Sequence, residues 1–395
     1  MIRSRQVSTR RELLELTGLS RSTLTQRLSQ LYSAGYLRSQ GQRAGTIGRP
    51  SGILTFDETD KLILVAGLGA THARFALTDA AGAILAETAL ELRIDTGPQQ
   101  VLRTVEETFH AMLAESGRGI DDVCGIGVGL PGPVDFATGR VRNPPMMPGW
   151  NEHPIRESLM KAFDKPVLID NDANLMGLGE QQLRYPDVAS LLFVKVGTGI
   201  GSGIILRGSP ERGAAGGAGD VGHIRIGQPT DETPCACGGA GCLAVYASGG
   251  ALARQLTAKG IPARTSRDVV HLVQDGTSEA IAMVGNAGRL LGEVLATAVA
   301  LLNPDVLIIG GDIAEAQEHF LNGVRTVLYN RTVPRATRDL IVATSALGDR
   351  AGIEGARLMV LEQVFSEEAV DLHLRQIAER EACSTEASEP ADQTI

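Results

Sequence analysis

The sequence predicts an α/β protein that carries a small helical domain at its N-terminus. From about residue 57 onward, short apolar runs typical of strands alternate with longer amphipathic stretches typical of helices, which is the pattern of an α/β domain. The chain contains 47 glycines, and glycine permits the tight turns and close backbone approaches that such folds use. The predicted strands are 62–66, 74–78, 123–128, 167–169, 190–196 and 306–309, and the predicted helices are 101–116 and 290–302.

Three segments follow from this change of pattern. We expect a winged helix-turn-helix domain at residues 1–56 and an α/β domain at 57–366. Residues 367–395 form an acidic tail, which we expect to be helical at first and disordered after about residue 382.

Composition and charge are those of a cytoplasmic globular protein. Of the 395 residues, 43% are hydrophobic and 21% are charged, and no apolar run or N-terminal pattern predicts a membrane span or a signal peptide. The net charge is −9, yet residues 1–50 hold nine arginines against two glutamates. A basic N-terminus on an acidic body predicts a polyanionic partner for the N-terminus alone.

The N-terminal segment predicts a helix-turn-helix. The first helix spans about 9–17 and is expected to bury Leu13 and Leu16. Gly18 is a typical residue for the end of a helix, and Ser20 is a good N-cap for the next one.

The second helix has one apolar and one polar face. Leu24, Leu28 and Leu31 fall on one stripe at helical spacing. Short polar and arginine side chains on the other face suit base edges and phosphates in the major groove of double-stranded operator DNA. The residues expected to contact DNA from this helix are Arg21, Ser22, Thr23, Thr25, Gln26 and Arg27.

Residues 38–50 are rich in glycine and arginine and suit a basic wing. Arg43 and Arg49 are expected to reach the DNA backbone or the minor groove. An ordinary helical hairpin is the alternative, and this wing favours DNA binding over it. Residues 1–8 are short and polar, so we do not expect them to complete the core of the domain.

A histidine and three cysteines form a metal-binding pattern. His223, Cys235, Cys237 and Cys242 give the spacing H-x11-C-x-C-x4-C, with glycines between the thiols. Four nitrogen and sulfur ligands suit tetrahedral Zn²⁺, and a site filled by protein ligands is structural. The alternative is a group of small buried thiols.

Together these motifs resemble the ROK family of repressors and sugar kinases. The resemblance rests on the zinc pattern after Gly-Asp-Val-Gly-His at 219–223, the glycine loop at 197–203, Asn171-Asp172 and Asn-Pro-Asp at 303–305. It spans about residues 9–360. It implies an actin-like, ribonuclease-H-like fold of two lobes with a sugar in the cleft, and a homodimer or homotetramer.

The resemblance also implies roles for individual residues. In the family's kinases the residue at the position of Asp172 is the general base for a sugar hydroxyl, and Asn171 binds the hydroxyls. His223 would bridge zinc and sugar, and Gly132 would shape the pocket. Asp220 stands where the kinases place a sugar-binding Glu. The alternative for Asn171 and Asp172 is a capped turn after a strand.

The sequence departs from the family's kinases at the phosphate end. Their Asp-x-Gly-x-Thr motif, whose Asp organises magnesium, reads Gly-Leu-Gly-Ala-Thr at 67–71. Losing such a charge typically lowers the rate by about 10²–10³-fold. The residues expected to form a vestigial phosphate loop are Gly67, Gly69, Thr71, Gly197, Thr198 and Gly199.

Two polar sugar contacts are also replaced. Met146 stands in place of an Asn of the family's Pro-Asn-Leu-Pro-Gly-Trp loop, and Ala244 stands in place of the Glu that ends its zinc motif.

Three functions follow as hypotheses. The first is a DNA-binding repressor controlled by a small sugar or sugar-derivative effector, which is not an enzyme. The second is an active hexose kinase that uses ATP, and the third is a constitutive DNA-binding scaffold without a ligand. The helix-turn-helix and Gly67 favour the first.

Overall fold

The computed structural model describes residues 2, 7–39, 53–58, 61–226, 233–316 and 318–386. Backbone contacts divide the chain into two compact units. The first comprises Met1–Leu62, Asp79–Ala83 and Leu361–Ile395, and the second comprises Ile63–Thr78 and Ile84–Val360. The segment predicted as an acidic tail is therefore grouped with the N-terminal segment.

The helices and strands are numbered in chain order. The helices are α1 (Arg10–Thr17), α2 (Arg21–Ser33), α3 (Pro98–Ser116), α4 (Ile155–Phe163), α5 (Asp172–Arg184), α6 (Leu243–Ala247), α7 (Gly249–Ala258), α8 (Ser266–Gln274), α9 (Ser278–Leu302), α10 (Glu318–Arg331), α11 (Pro334–Thr337), α12 (Ala351–Val364) and α13 (Glu367–Glu386). The strands are β1 (Leu37–Ser39), β2 (Leu54–Phe56), β3 (Leu62–Leu68), β4 (His72–Asp79), β5 (Ile84–Glu91), β6 (Val123–Leu130), β7 (Val134–Asp135), β8 (Arg140–Val141), β9 (Val167–Asn171), β10 (Ser190–Val196), β11 (Ile200–Leu206), β12 (Ser209–Glu211), β13 (Val306–Gly310) and β14 (Ile341–Thr344). Short 3-10 turns occur at Ile94–Thr96, Ile120–Asp122, Val221–His223, Asp312–Ala316 and Gly348–Arg350.

In the first unit, local hydrogen bonds cap the starts of α1 and α2. The Thr9 hydroxyl accepts from the Glu12 N–H at 3.2 Å, and the Glu12 carboxylate accepts from the Thr9 N–H at 3.0 Å. Gly18 ends α1 with a φ of 66°, and the Ser20 side chain caps α2 by accepting from the Thr23 N–H at 3.1 Å. These bonds satisfy helix-end donors, and the predicted stop at Gly18 and cap at Ser20 are confirmed.

The core of this unit differs from the prediction in two places: in the last turn of α1 and in the residues that precede α1. Leu16 is 60% exposed, so its predicted burial was wrong, because α1 ends one residue later and the chain turns away at Gly18. Val7 is buried and Ile2 packs against the same cluster, so these two residues of the N-terminal stretch contribute to the core, which the sequence did not predict. The buried residues of this cluster are Val7, Leu13, Leu24, Leu28, Leu37 and Leu54.

A small antiparallel sheet follows the helices. β1 pairs with β2, with Leu37 opposite Phe56 and Ser39 opposite Leu54. The predicted wing residues Arg43 and Arg49 lie outside the described residues.

The second unit contains two five-stranded sheets with the same strand order. One runs β5-β4-β3-β6-β9 and the other β12-β11-β10-β13-β14. If the five strands of either sheet are numbered by their order in the chain, their order across the sheet is 3-2-1-4-5. One side of each sheet contains antiparallel hairpins, such as β4–β5 and β10–β11. The other side contains parallel pairs, such as β6–β9 and β10–β13. This duplicated order confirms the two-lobed actin-like, ribonuclease-H-like fold, and each of the predicted strands is present.

Among the described residues, one helix is long and apolar enough to cross a membrane by length and composition. This is α9, and half of its most apolar window is buried. Leu291, Leu295 and Val299 are fully buried in the core of the second lobe. Such burial is typical of the core helix of a soluble protein.

Candidate functional site

A cavity of about 240 Å³ lies in the second unit and is lined by residues from both of its sheets. Strand ends and the loops after them supply most of the lining, as is usual for ligand sites in α/β folds. The predicted ligand and phosphate residues that line this cleft are Gly67, Gly69, Gly132, Asn171, Asp172, Gly197, Thr198, Gly199, Asp220 and His223. Thr71 is exposed and is absent from the lining, and its hydroxyl lies 3.4 Å from Nδ1 of His72.

Asn171 connects the end of β9 to the start of α5. Its Oδ1 accepts from the N–H groups of Ala173 at 2.9 Å and Asn174 at 3.2 Å, which caps the helix. Its Nδ2 donates to the Gly132 carbonyl at 3.0 Å. Asn171 therefore forms the capped turn that the sequence offered as an alternative, and it lines the cleft as well.

Asp172 carries an ion pair that the sequence analysis did not predict. Lys195, one residue before the end of β10, donates from its ammonium to Oδ2 of Asp172. Both side chains are largely buried, with 26% of Lys195 and 14% of Asp172 exposed. A lone charged residue in the apolar strand Leu-Leu-Phe-Val-Lys-Val is the signal that could have revealed it.

A second buried pair holds the turn that presents Asn171 and Asp172. The carboxylate of Asp170 is fully buried and accepts from Arg212 at 2.8 Å (Nε) and 2.6 Å (Nη2). Its other oxygen accepts from the Asn171 N–H at 2.7 Å and from Nδ2 of Asn174 at 3.0 Å. Full use of both oxygens stabilises a buried carboxylate and fixes the backbone around it.

At one end of the cleft, a chain of ion pairs joins three of its charged lining residues, Arg74, Asp349 and Asp312. Arg74 on β4 contacts Glu87 and Asp349, each at 2.8 Å. Arg267 on α8 lies 3.6 Å from Asp349 and 3.4 Å from Asp312. The Asp312 carboxylate lies beside Gly197, because a Cβ at that glycine would be 3.7 Å from its Oδ2. A charged side chain of the protein therefore lies next to one of the predicted phosphate-loop glycines.

Burial lowers the pKa of His72 at this end of the cleft. The cations of Lys195 and Arg267 lower it further, and these effects outweigh the opposing carboxylates of Asp312 and Asp349. The neutral form of His72 is therefore favoured more than it is in a free imidazole.

Apolar side chains line the cleft where the family's kinase pattern has polar sugar contacts. Met146, Met147 and Ala244 line it, and Met146 is 49% exposed. Asp220 also lines it and is exposed, and no side chain of the described residues bonds its carboxylate.

The four predicted metal ligands come together. Their ligand atoms all lie within 4.8 Å of one another. Nδ1 of His223 is 3.3 Å from Sγ of Cys235, and the sulfurs of Cys237 and Cys242 are 3.7 Å apart. Tetrahedral zinc with Zn–S bonds of about 2.3 Å needs sulfurs about 3.8 Å apart. The geometry therefore fits a Zn²⁺ ion.

The thiols have unlike environments before any ion binds. Burial, followed by the neighbouring thiols, raises the pKa of Cys242 to about 12. The N–H of Gly239 lowers the pKa of Cys237 by bonding to its sulfur. A divalent cation would offset the repulsion between neighbouring thiolates.

The polar face of α2 is exposed in the first unit. The residues predicted to contact DNA that lie on it are Arg21, Ser22, Thr23, Thr25, Gln26 and Arg27. The Arg27 guanidinium lies 4.0 Å from the Asp371 carboxylate of α13, a neighbour that the sequence did not indicate.

The chain is similar to regulators and to kinases of one family. A family model described as the ROK family matches residues 65–363. The chain is 28% identical over 375 residues to the xylose repressor of Caldicellulosiruptor bescii, covering 91% of this chain and 93% of the repressor. It is 28% identical over 326 residues to the glucokinase of Halalkalibacterium halodurans, covering 78% of this chain and 98% of the glucokinase. A solved ROK family transcriptional regulator, described as a homologue of the E. coli MLC protein, aligns with a TM-score of 0.78 at 25% identity, covering 94% and 96% of the two chains.

Proposed function

Because this chain belongs to the ROK family, we propose that it is a sugar-responsive transcriptional regulator, most simply a repressor. The exposed face of α2 binds double-stranded operator DNA, and the cleft binds a small sugar or sugar derivative without phosphorylating it. The protein acts in the cytoplasm as a homodimer or homotetramer, so that two helix-turn-helix domains contact the two half-sites of the operator. His223 and the three cysteines hold a structural Zn²⁺.

The observation that carries this proposal is the exposed polar face of α2. It presents Arg21 and Arg27 with short polar side chains between them, while Leu24 and Leu28 hold the helix on the core. A helix that is firmly packed on one side and offers arginine and hydroxyl groups on the other has the chemistry of a recognition helix. The similarity to the xylose repressor supports this, because it covers 91% of the chain against 78% for the glucokinase.

The cleft supports binding rather than phosphoryl transfer. Gly67 supplies no carboxylate for magnesium, and transfer depends on metal and charge placed around the phosphates. Asp172 is engaged by Lys195, so it is not a free base for a sugar hydroxyl. A ligand that binds the closed arrangement of the lobes more tightly than the open one would shift the equilibrium toward the closed form. This shift would change the spacing between the DNA-binding domains of the oligomer.

Four predicted ligand-binding residues connect the cleft to this role. Asn171 and Asp172 offer amide and carboxylate groups to neighbouring hydroxyls, and Asp220 offers a second carboxylate. His223 has Nδ1 on the thiol side while its ring lines the cleft, so its other nitrogen is available to a sugar.

The test is DNA binding by the purified full chain. Duplexes selected from a random library are measured by fluorescence anisotropy, with and without added sugars. Arg21→Ala should weaken binding at least about tenfold and reduce its salt dependence. Arg11→Ala is the matched control, because Arg11 has the same charge in the same unit but pairs with Glu15 at 2.8 Å.

Each alternative function gives a different result. An active kinase would phosphorylate hexoses with MgATP and select no duplex. A constitutive scaffold would bind DNA with an affinity that no sugar changes. Equal losses in the Arg21 and Arg11 variants would argue against α2 as the recognition helix.

A further inference from the structure

The charges lining the cleft are unevenly partnered. Two cations line it, and each is held by an acid: Arg74 by Glu87 and Asp349, and Lys195 by Asp172. Four carboxylates line it, those of Asp172, Asp220, Asp312 and Asp349. Among the described lining residues no lysine or arginine is without an acidic partner, and the cleft is negative on balance.

This balance disfavours an anionic ligand. A phosphate or carboxylate entering the cleft would meet the unbonded carboxylate of Asp220 and would have to take Lys195 from Asp172. Taking Lys195 leaves a largely buried carboxylate without its counter-ion, which is costly. The N-terminus of α5 offers little compensation, because Asn171 already accepts from two of its N–H groups.

The Lys195–Asp172 pair is instead suited to a hydroxyl. An ammonium only donates hydrogen bonds and a carboxylate only accepts them, whereas a hydroxyl does both. Lys195 uses one N–H on Asp172 and has two more, and Asp172 has further lone pairs. A sugar hydroxyl placed beside the pair therefore accepts from Lys195 and donates to Asp172.

We propose that Lys195 is a ligand-binding residue and that the effector is an uncharged sugar, recognised through one hydroxyl shared by Lys195 and Asp172. This rests on the proposed sensing function of the cleft. Esterifying that hydroxyl with phosphate removes the shared group and brings negative charge beside Asp172. The cleft therefore distinguishes a free sugar from its phosphate ester, and a sugar kinase elsewhere in the cell would consume the effector.

The test is isothermal titration calorimetry of the full chain with matched probes. The probes are D-glucose, 6-deoxyglucose and glucose 6-phosphate, with D-xylose and N-acetylglucosamine and their phosphates as further pairs. At least one uncharged sugar should bind, and its phosphate should bind at least about tenfold more weakly, as expected for losing a hydrogen bond to a charged group.

The Lys195→Met variant tests the residue itself. It should weaken binding of the hydroxyl-bearing sugar by about 10- to 100-fold and change binding of the matching deoxy sugar little, whereas a merely structural role would weaken both equally. Lys195→Arg, which keeps the charge, should retain part of the affinity. Lys259→Met is the control, because Lys259 is exposed at the end of α7, away from the cleft. Melting temperatures verify that each variant is folded.

The outcomes separate this inference from the proposed function. A phosphate ester that binds as tightly as its sugar, or a Lys195→Met variant with unchanged affinity, would overturn the inference while DNA regulation stands. Sugar binding as expected without DNA binding would support the inference and refute the regulator. No binding by any probe would overturn both the inference and the sensing role.

Discussion

The hydroxyl of Tyr36 lies 2.6 Å from Nδ1 of His373, which joins the strand end of the N-terminal unit to α13 across 337 residues of sequence. Phe365 packs edge-on against Tyr36 and Phe56, with ring centroids 6.0 and 4.9 Å apart. Such edge-to-face pairs stabilise a fold beyond their burial alone. The C-terminal helix is therefore part of the unit that carries α2.

Tyr36→Phe should lower the free energy of unfolding by about 0.5–1.5 kcal/mol, the net value of one buried hydrogen bond. The ring packing is retained, so the loss reports the bond to His373. Urea unfolding of the full chain measures it. Tyr32→Phe is the control, because Tyr32 is half-buried in α2. If the two variants have the same free energy of unfolding, the hydrogen bond between Tyr36 and His373 makes no specific contribution to stability.

Asp371→Asn should strengthen DNA binding at low salt. Asp371 lies 4.0 Å from Arg27, and both side chains are about half exposed, so the pair contributes at most about 1 kcal/mol and is screened by salt. Freeing Arg27 should raise affinity up to about fivefold in 50 mM salt and less in 200 mM salt. Glu368→Gln removes the same charge from the same helix without freeing an arginine. An equal gain there would indicate a general charge effect.

Local patterns were sufficient to predict six strands of the two five-stranded sheets and the two N-terminal helices, but not most of the other elements. The strand 190–196 was predicted with the bounds that β10 has, because a continuous apolar run before a glycine loop specifies a buried strand. The turn at Gly18 and Ser20 was predictable because helix ends depend on hydrogen bonds three or four residues away. Leu16 was predicted wrongly, since its exposure depends on where the chain goes after α1.

Pairings between distant segments could not be predicted in the same way. The grouping of His223 with Cys235, Cys237 and Cys242 could be predicted, because three cysteines within eight residues restrict one another locally. Lys195 and Asp172 lie on different elements, 23 residues apart, and only the sheet geometry brings them together. Tyr36 and His373 are a more distant case. Some sequence positions indicate that an oppositely charged partner exists but do not identify it. Examples are a charged residue within an apolar strand and an acid at a buried strand end, such as Asp170.

The purified protein should contain about one zinc ion per chain, since four ligand atoms converge within tetrahedral reach. Cys242→Ser should lose the metal and lower the melting temperature by about 2–4 °C for each kcal/mol of stability lost. Metal analysis and thermal unfolding measure the two effects. Cys124→Ser, on β6, should retain the zinc. A wild-type chain that is metal-free after zinc reconstitution would exclude the site.

His72 should make stability depend on pH below neutrality. Burial lowers its pKa in the folded chain below about 6.5, its ordinary value. Between the two pKa values the unfolded chain binds more protons, so the free energy of unfolding falls as pH decreases from about 6.5. Above that pH the contribution is constant. His72→Asn should flatten this part of the profile of unfolding free energy against pH. If the pH profile of His72→Asn runs parallel to that of the wild-type chain, His72 is not the source of this pH dependence.

The chain should not phosphorylate hexoses, and restoring one carboxylate should not change that. A Cβ at Gly67 would meet no atom closer than the Arg74 carbonyl at 3.8 Å, so Gly67→Asp should fold with an unchanged melting temperature. The variant should nevertheless remain below about 1 s⁻¹ in a coupled assay with MgATP, because Lys195 still engages Asp172. The glucokinase of Halalkalibacterium halodurans is the positive control. Sugar phosphate accumulating with the wild-type chain at a kinase-like rate would show that Lys195 releases Asp172 during turnover, and that the ion pair does not prevent catalysis.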